Sequence, residues 1–258
     1  MPISSVSEFL RRLKKSPENF FIVHYSCQNL NDDNEALSPR ITSIAVSHFS
    51  TEQSVSFSTH AIAEELGIAR EDVFKRFDEI ERELLNRFYN FAGERRACHW
   101  LHWNMRNSTY GFEHLEHRFR VLKGGDPPVV PVEQRINLND MLAQRYGSGY
   151  ASHPRMQSLM DLNGGRHRDF LDGQEEVKAF QDSDFMKMHM STLSKVGFFH
   201  SVTKKMLAGK LRTNSNGVGA MLDRTLESRL AKGSSVMASG AGLIYAGTDL
   251  IPWLITLF

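Results

Sequence analysis

The order of hydrophobic patterns along this sequence predicts an α/β fold, a mixed sheet flanked by helices. Three observations carry that expectation. Short runs rich in Val, Ile, Phe and Ser at 20–25, 41–49 and 53–58 are separated by polar turn residues and read as an antiparallel meander. The pattern then changes period. In AREDVFKRFDEIERELLNRFYNF, residues 70–92, Val73, Phe74, Phe77, Ile80, Leu84, Leu85, Phe88 and Phe91 recur at three-to-four spacing with the charges opposite, which predicts one long amphipathic helix. Beyond it strand-like and helix-like segments alternate, the order that layers helices on a sheet.

The fourth strand is expected in ACHWLHW, 97–103, followed by a helix at 110–122 with Phe112, Leu115, Phe119 and Leu122 on one side. The loop KGGDPPVVPVEQ, 123–134, ends that helix. A fifth short strand near 136–138 leads into a helix at 138–146, with Asn139 or Asp140 as its cap. A short helix at 155–162, a glycine-bounded turn NGGRHRDFLDG, and helices at 174–180 and 185–208 complete the body. No internal repeat is visible.

Composition narrows the function classes. A chain of 258 residues holds one large domain or two small ones, and a compact domain of that size buries about three quarters of its unfolded surface without staples. Thirty-one Lys and Arg against thirty Asp and Glu leave a net charge of +1, which argues against a protein that coats nucleic acid through bulk charge. Cys27 and Cys98 fall in apolar strand-like runs without metal-type spacing, so both are expected as buried thiols in a reducing compartment. The first residues, MPISSVSEFLRRLKKSPENF, are amphipathic over a short stretch and lack the apolar core of a signal peptide, so nothing is expected to direct secretion from that end. The glycine pairs at 124–125 and 164–165 have neither P-loop nor dinucleotide-fold spacing and read as turns.

Three stretches, spread over residues 18–208, carry a family resemblance. The apolar strand ends in His24, Tyr25, Ser26 and Cys27. The segment HWNMRNSTYGFEHLEHR supplies Asn104, Tyr110, Leu115 and Arg118 around Gly111. The segment FLDGQEEVKAFQDSDFMKMHMSTLSKV ends in Lys195 and Val196. In this order they resemble the DnaQ-like 3′–5′ exonucleases of the RNase H-like fold, in which an Asp-x-Glu on the first strand, an Asp after a Phe, and an Asp in a late helix bind metal. The resemblance places His24 and Ser26 at the first pair of acids, Gly111 at the third and Lys195 at the fourth, with Ser194 the alternative if the match slips by one residue. All four acids are replaced. The resemblance therefore implies an RNase H-like body over 1–208 that is a degenerate member of the family.

Enzymes of that group hold two divalent ions about 3.5–4 Å apart on hard oxygen ligands. Four positions without a carboxylate and with a lysine would repel such ions. No metal, no cofactor and no catalytic residue is expected at this site. A cleft with Lys195, Arg106 and a partly protonated His24 could instead attract phosphate, with Tyr25, Trp103 and Tyr110 stacking on a base and Asn104 beside them. The competing reading makes His24 a satisfied strand histidine and the aromatic residues core. His99, His102, His114 and His117 form a histidine-rich neighbourhood, but the strand pair points to opposite faces and the spacing is not that of a zinc helix. Cys27 with His24 lacks a marked orienting group and oxyanion pocket for nucleophilic catalysis.

Residues 236–258 contain a single charge, Asp249, over 23 residues, long enough as a helix to cross about 30 Å of hydrocarbon. Pro252 and the acid weaken that helix; Arg224, Arg229 and Lys232 precede it and favour a cytoplasmic body attached to the inner membrane. Ala238, Gly242 and Ala246 repeat at four-residue spacing, the stripe that lets membrane helices approach and a route to a homo-oligomer. Residues 209–235 read as linker and short helix, with 209–219 the most flexible in composition. The alternative to a membrane helix is a hydrophobic helix packed on the body. Two classes of function follow: a non-catalytic body that binds single-stranded nucleic acid or a nucleotide, tethered to a membrane, or a membrane-acting effector or scaffold, as in bacterial defence, whose body senses a partner protein. An active exonuclease remains only if the motif placement is wrong.

Overall fold

The computed structural model describes residues 3–29, 38–106 and 110–216. The chain divides into two units, Met1–Arg212 and Thr213–Phe258, and the fold is that of the first. The expected hydrophobic helix at 236–258 and the linker from residue 217 onward lie outside the described residues. Among the described residues no helix is long and apolar enough to cross a membrane.

Strands β1 (Phe20–Cys27), β2 (Ile41–His48), β3 (Ser54–Ser58), β4 (His99–His102) and β5 (Arg135–Asn137) make one sheet in the order β3-β2-β1-β4-β5. β1 pairs antiparallel with β2, and β2 with β3; β1 pairs parallel with β4, and β4 with β5. The fold is therefore α/β with a mixed sheet, as the alternation of periods predicts. Every residue of β1 is buried, because helices cover both faces of the central strand. Its odd residues, Phe21, Val23, Tyr25 and Cys27, join a core with Trp100, α3 (Phe77–Gly93) and α4 (Phe112–Val121). Phe20 and Ile22 point the other way, into a core shared with α1 (Val6–Lys15), α5 (Leu138–Tyr146) and α8 (Phe185–Leu207).

The second face explains the serines of the meander. Ser43, Ala45 and Ser47 alternate along β2 beneath α8, and Ser43 Oγ lies 2.6 Å from Thr192 Oγ1 of that helix. On β3, Ser56 Oγ lies 2.8 Å from His189 Nε2 of the same helix. Small side chains at these positions let a helix axis come close to the sheet, and their hydroxyls satisfy what the contact desolvates. On the opposite face, Glu81 of α3 is fully buried; it accepts from the Ile41 amide at 2.8 Å and from Arg118 Nε of α4 at 2.8 Å, so one carboxylate fixes the start of β2 and joins two helices.

Several boundaries differ from expectation. The stretch 70–92 is not one helix: a short 3-10 turn at Arg70–Asp72 precedes α3, whose first residue is Phe77. Val73 still joins the core and the exposed Phe74 lays its ring against Phe77, Phe180 and Phe185, so the apolar spacing continues where the helical backbone does not. The amphipathic residues near the start form α1, capped by Ser5, and α2 (Thr59–Glu65) was not anticipated. The cap of α5 is Asn137, which accepts from the Asn139 amide at 3.2 Å, and neither Asn139 nor Asp140. Asn139 is instead buried against Tyr150, and Asp140 pairs with Arg106. Cys27 is buried as expected, whereas Cys98 is half-buried, and no disulfide joins them. The remaining helices, α6 (Arg155–Leu162) and α7 (Gly173–Gln181), follow the expected segments closely.

Burial pushes several imidazoles down: His102 to about 3, His114 and His189 to about 4. The unfolded chain binds protons on these groups below about pH 6.5 and the folded chain does not. Stability should therefore be full above about pH 6.5 and fall progressively toward pH 4. Urea unfolding across that range checks it, and His189→Asn should flatten the slope; a stability independent of pH from 7 to 4 would contradict it.

Candidate functional site

Where β1 and β4 end, side by side and parallel, a cavity of about 300 Å³ opens between the sheet, α8 and the segment entering α7. The carboxyl ends of parallel strands are where open α/β sheets leave a crevice. Six residues singled out from the sequence line it: His24, Tyr25, Trp103, Asn104, Tyr110 and Lys195. The other wall is Phe170, Asp172 and Glu176, with Met156 and Gln157 from α6.

The aromatic residues hold each other. Tyr25 stacks on Tyr110 with centroids 4.6 Å apart, and Trp103 lies parallel to Phe199 of α8 at 5.5 Å. Tyr110 Oη lies 3.0 Å from His24 Nδ1 and donates to the Tyr25 carbonyl at 3.2 Å. Gly111, the cap of α4, donates its amide to Tyr25 Oη at 2.9 Å, and that hydroxyl meets His114 Nδ1 at 2.9 Å. Since His114 Nε2 stands 3.0 Å from the Pro39 carbonyl, which only accepts, Nε2 carries the proton and Tyr25 donates to Nδ1. Tyr25 and Trp103 are almost closed to solvent, so the half-buried Tyr110 is the ring that presents surface to the cavity. Asn104, in the left-handed conformation that asparagine tolerates, accepts from Asn139 Nδ2 at 2.9 Å and is fixed to the start of α5.

His24 and Lys195 thus share one cavity, whereas Gly111 does not line it and is tied to the Tyr25 hydroxyl behind it. Lys195, and not Ser194, faces the cavity; Ser194 borders a different groove on the outer side of α8. Ser26 lies one alternation beyond His24 and is buried beneath the cavity, where its hydroxyl donates to Glu176 Oε1 at 2.9 Å. Glu176 is the residue that sequence reasoning missed. Its Oε1 also accepts from Lys195 Nζ at 2.6 Å and Ser191 Oγ at 3.2 Å, with both charged side chains at most 7% exposed. A signal for it was present: Glu176 shares a helical stripe with Ala179 and Phe180, and an acid in an apolar stripe needs a buried partner.

Electrostatically the site differs from expectation. Burial, and next the nearby Lys195 ammonium, hold the His24 imidazole well below its ordinary range, so it is neutral at pH 7 and not partly protonated. Burial raises the Tyr25 and Tyr110 hydroxyls, which stay protonated. Arg106 does not line the cavity; it pairs with Asp140 at 2.5 Å on the surface. The divalent ions that the exonuclease resemblance would bring do not fit these donors. Glu176 is taken by an ammonium and two hydroxyls, and Asp172 Oδ1 caps α7 by accepting from the Gln174 and Glu175 amides at 3.0 Å each. Nor do the four histidines gather: His99 rests on Phe20, His102 meets Phe112, His114 bonds Tyr25, and His117 is exposed. Among the described residues no three His, Cys, Asp or Glu side chains form a group that could hold a metal ion.

Removing one partner of a buried pair leaves the other charge uncompensated, at a cost of about 3–5 kcal/mol. Lys195→Met should lower unfolding free energy by that order, and Lys195→Met with Glu176→Leu should recover most of it. Urea denaturation of the three chains measures this; a single variant as stable as the parent would show that the pair is not confined as described. No family model matches the sequence, and neither a curated protein nor a solved structure is significantly similar to it.

Proposed function

We propose that the body of this protein is a non-hydrolytic, RNase H-like relative of the DnaQ-like exonucleases that binds a nucleobase, in a nucleotide or in single-stranded nucleic acid, in the cavity beside His24. The observation that carries the reading is the meeting of three degenerate motifs around one cavity. The strand order β3-β2-β1-β4-β5, antiparallel through β1 and parallel beyond it, supports the RNase H-like part. The lining supports the ligand class. Its surface is mostly apolar and aromatic, and its polar residues Asn104, His24 and Lys195 are held in place by their own partners, with Gln157 on the far wall. Recognition here rests on stacking and shape, since the charges of Lys195 and Arg106 are already answered by Glu176 and Asp140. The non-hydrolytic reading is supported by the engagement of both wall carboxylates, Glu176 by Lys195 and Asp172 by the α7 amides, and by the neutral His24 having Tyr110 as its partner.

Residues 236–258 extend the proposal to a membrane. Their length, single acid and small-residue stripe support a spanning helix that anchors a cytoplasmic body and brings copies together.

Binding of a fluorescent single-stranded oligonucleotide to residues 1–212, read by anisotropy and competed by nucleoside monophosphates, tests the first part. Tyr110→Ala should weaken it about fivefold or more by losing one stacking face, while Tyr110→Phe should retain most of it. Absence of binding, together with membrane permeabilisation by the full chain, would favour the effector alternative. Metal-dependent digestion that persists through purification and is lost in His24→Ala would overturn the non-hydrolytic reading.

For the tail, the full chain should sediment with membranes, and deletion of 236–258 should leave a soluble body with an unchanged melting temperature. A soluble full chain whose truncated form aggregates would place the segment in the core instead.

A further inference from the structure

On the other flank of α8, about two turns beyond Lys195, a second recess of about 360 Å³ lies between that helix and the β2–β3 turn. His200 forms its floor. The imidazole lies flat on Phe49, 4.9 Å between centroids and 11° from parallel, and the residue is 6% exposed. Its Nε2 is closed to solvent and has no hydrogen-bond partner. The nearest acid, Glu52 Oε1, is 4.0 Å away, beyond hydrogen-bond reach. A buried polar nitrogen without a partner is costly, and one at the floor of a recess marks a place where a ligand atom completes the set.

The rest of the wall specifies the charge of that ligand. Lys204 and Lys205 border the recess, as do the hydroxyls of Ser47, Ser54 and Ser201. Ser47 and Ser54 are cross-strand partners at the end of the meander, so their positions are set by the sheet. Lys205 Nζ is held by the Asn163 carbonyl at 2.8 Å, and Lys204 Nζ donates to Glu52 Oε1 at 2.5 Å. Among the described residues Glu52 is the only carboxylate on this wall; it is 59% exposed on a tight turn, where its φ is +61°. One ammonium on a movable carboxylate, a second lysine on the rim, an unpartnered imidazole nitrogen and three serines along the wall are the complement of a tetrahedral oxyanion.

We propose that this recess binds phosphate, free or as a phosphomonoester, through His200 Nε2–H, Lys204 and the serine hydroxyls, and that Glu52 is an internal anion which holds Lys204 until the ligand displaces it. The site is separate from the cavity beside His24 and does not rest on the function proposed there.

The test is a titration of the full chain with inorganic phosphate, followed by calorimetry and by the imidazole resonances of His200. Lys204→Gln should weaken binding about tenfold, and Glu52→Gln should tighten it several-fold by removing the competing anion. Both positions are more than half exposed, so neither change threatens folding. His200→Gln, checked by its melting temperature, should also weaken binding. A nucleoside monophosphate and a sugar phosphate run in parallel identify the source: equal affinities indicate recognition of the anion alone, and a tighter ligand identifies the group that carries it. His200 resonances unmoved by every phosphate, or Glu52→Gln and Lys204→Gln chains that bind like the parent, would overturn the proposal.

Discussion

The seam between α8 and the sheet is the constraint on which the rest depends. A long helix lies across β2 and β1 because Ser43, Ala45 and Ser47 are small, and the closeness of that contact excludes water from every polar group inside it. Most of these groups find a partner within the protein, His200 Nε2 being an exception. The outcome is one connected set: Ser43 meets Thr192, Thr192 meets Ser26 at 2.8 Å, Ser26 donates to Glu176, and Glu176 accepts from Lys195. Thr192 accepts from Ser43 and shares its one hydroxyl proton between Ser26 and the Met188 carbonyl of its own helix. The same contacts tie α7 and α8 to the first two strands.

That set also decides the chemistry available at the cavity. The positions which the exonuclease resemblance assigns to metal-binding acids carry a neutral imidazole, a hydroxyl, a backbone cap and an ammonium. The positive charge is covalently attached and already has its counter-ion, so the site has no unfilled demand for a cation and little field to offer an anion. What it offers is a dry aromatic wall with hydrogen-bonding groups held in place by their neighbours. Tyr110 illustrates this: its hydroxyl is fixed by His24 and the Tyr25 carbonyl, and the ring is fixed by stacking, so its face is organised before any ligand arrives.

α8 separates this cavity from the recess at His200, and the two differ in kind. Beside Lys195 the polar groups are mutually satisfied and the surface is apolar. Beside His200 a buried nitrogen lacks a partner, and Lys204 meets a carboxylate on an exposed turn. One helix therefore carries a buried, satisfied ammonium on one flank and an unpartnered imidazole nitrogen on the other, a consequence of where its residues fall around the turn.

The sequence by itself determined the α/β class, the strands and most of the helices, because burial on a sheet face or a helix stripe is written as period two or period 3.6 and needs only local information. Of the residues that the exonuclease resemblance groups, His24, Tyr25, Trp103, Asn104, Tyr110 and Lys195 line one cavity, while Ser26, Gly111 and Arg106 do not. Only the tertiary structure decided what those residues are electrostatically. That Lys195 is neutralised depends on Glu176, 19 residues away on another helix; that His24 is uncharged depends on burial between helices and sheet; and that Arg106 stays outside depends on Asp140. The break before Phe77 and the cap at Asn137 were decided in the same way, by packing and local hydrogen bonds that periodicity does not encode. Period reports how deeply a side chain is buried, whereas charge state and partner depend on what meets it from distant parts of the chain, and that meeting exists only once the fold has formed.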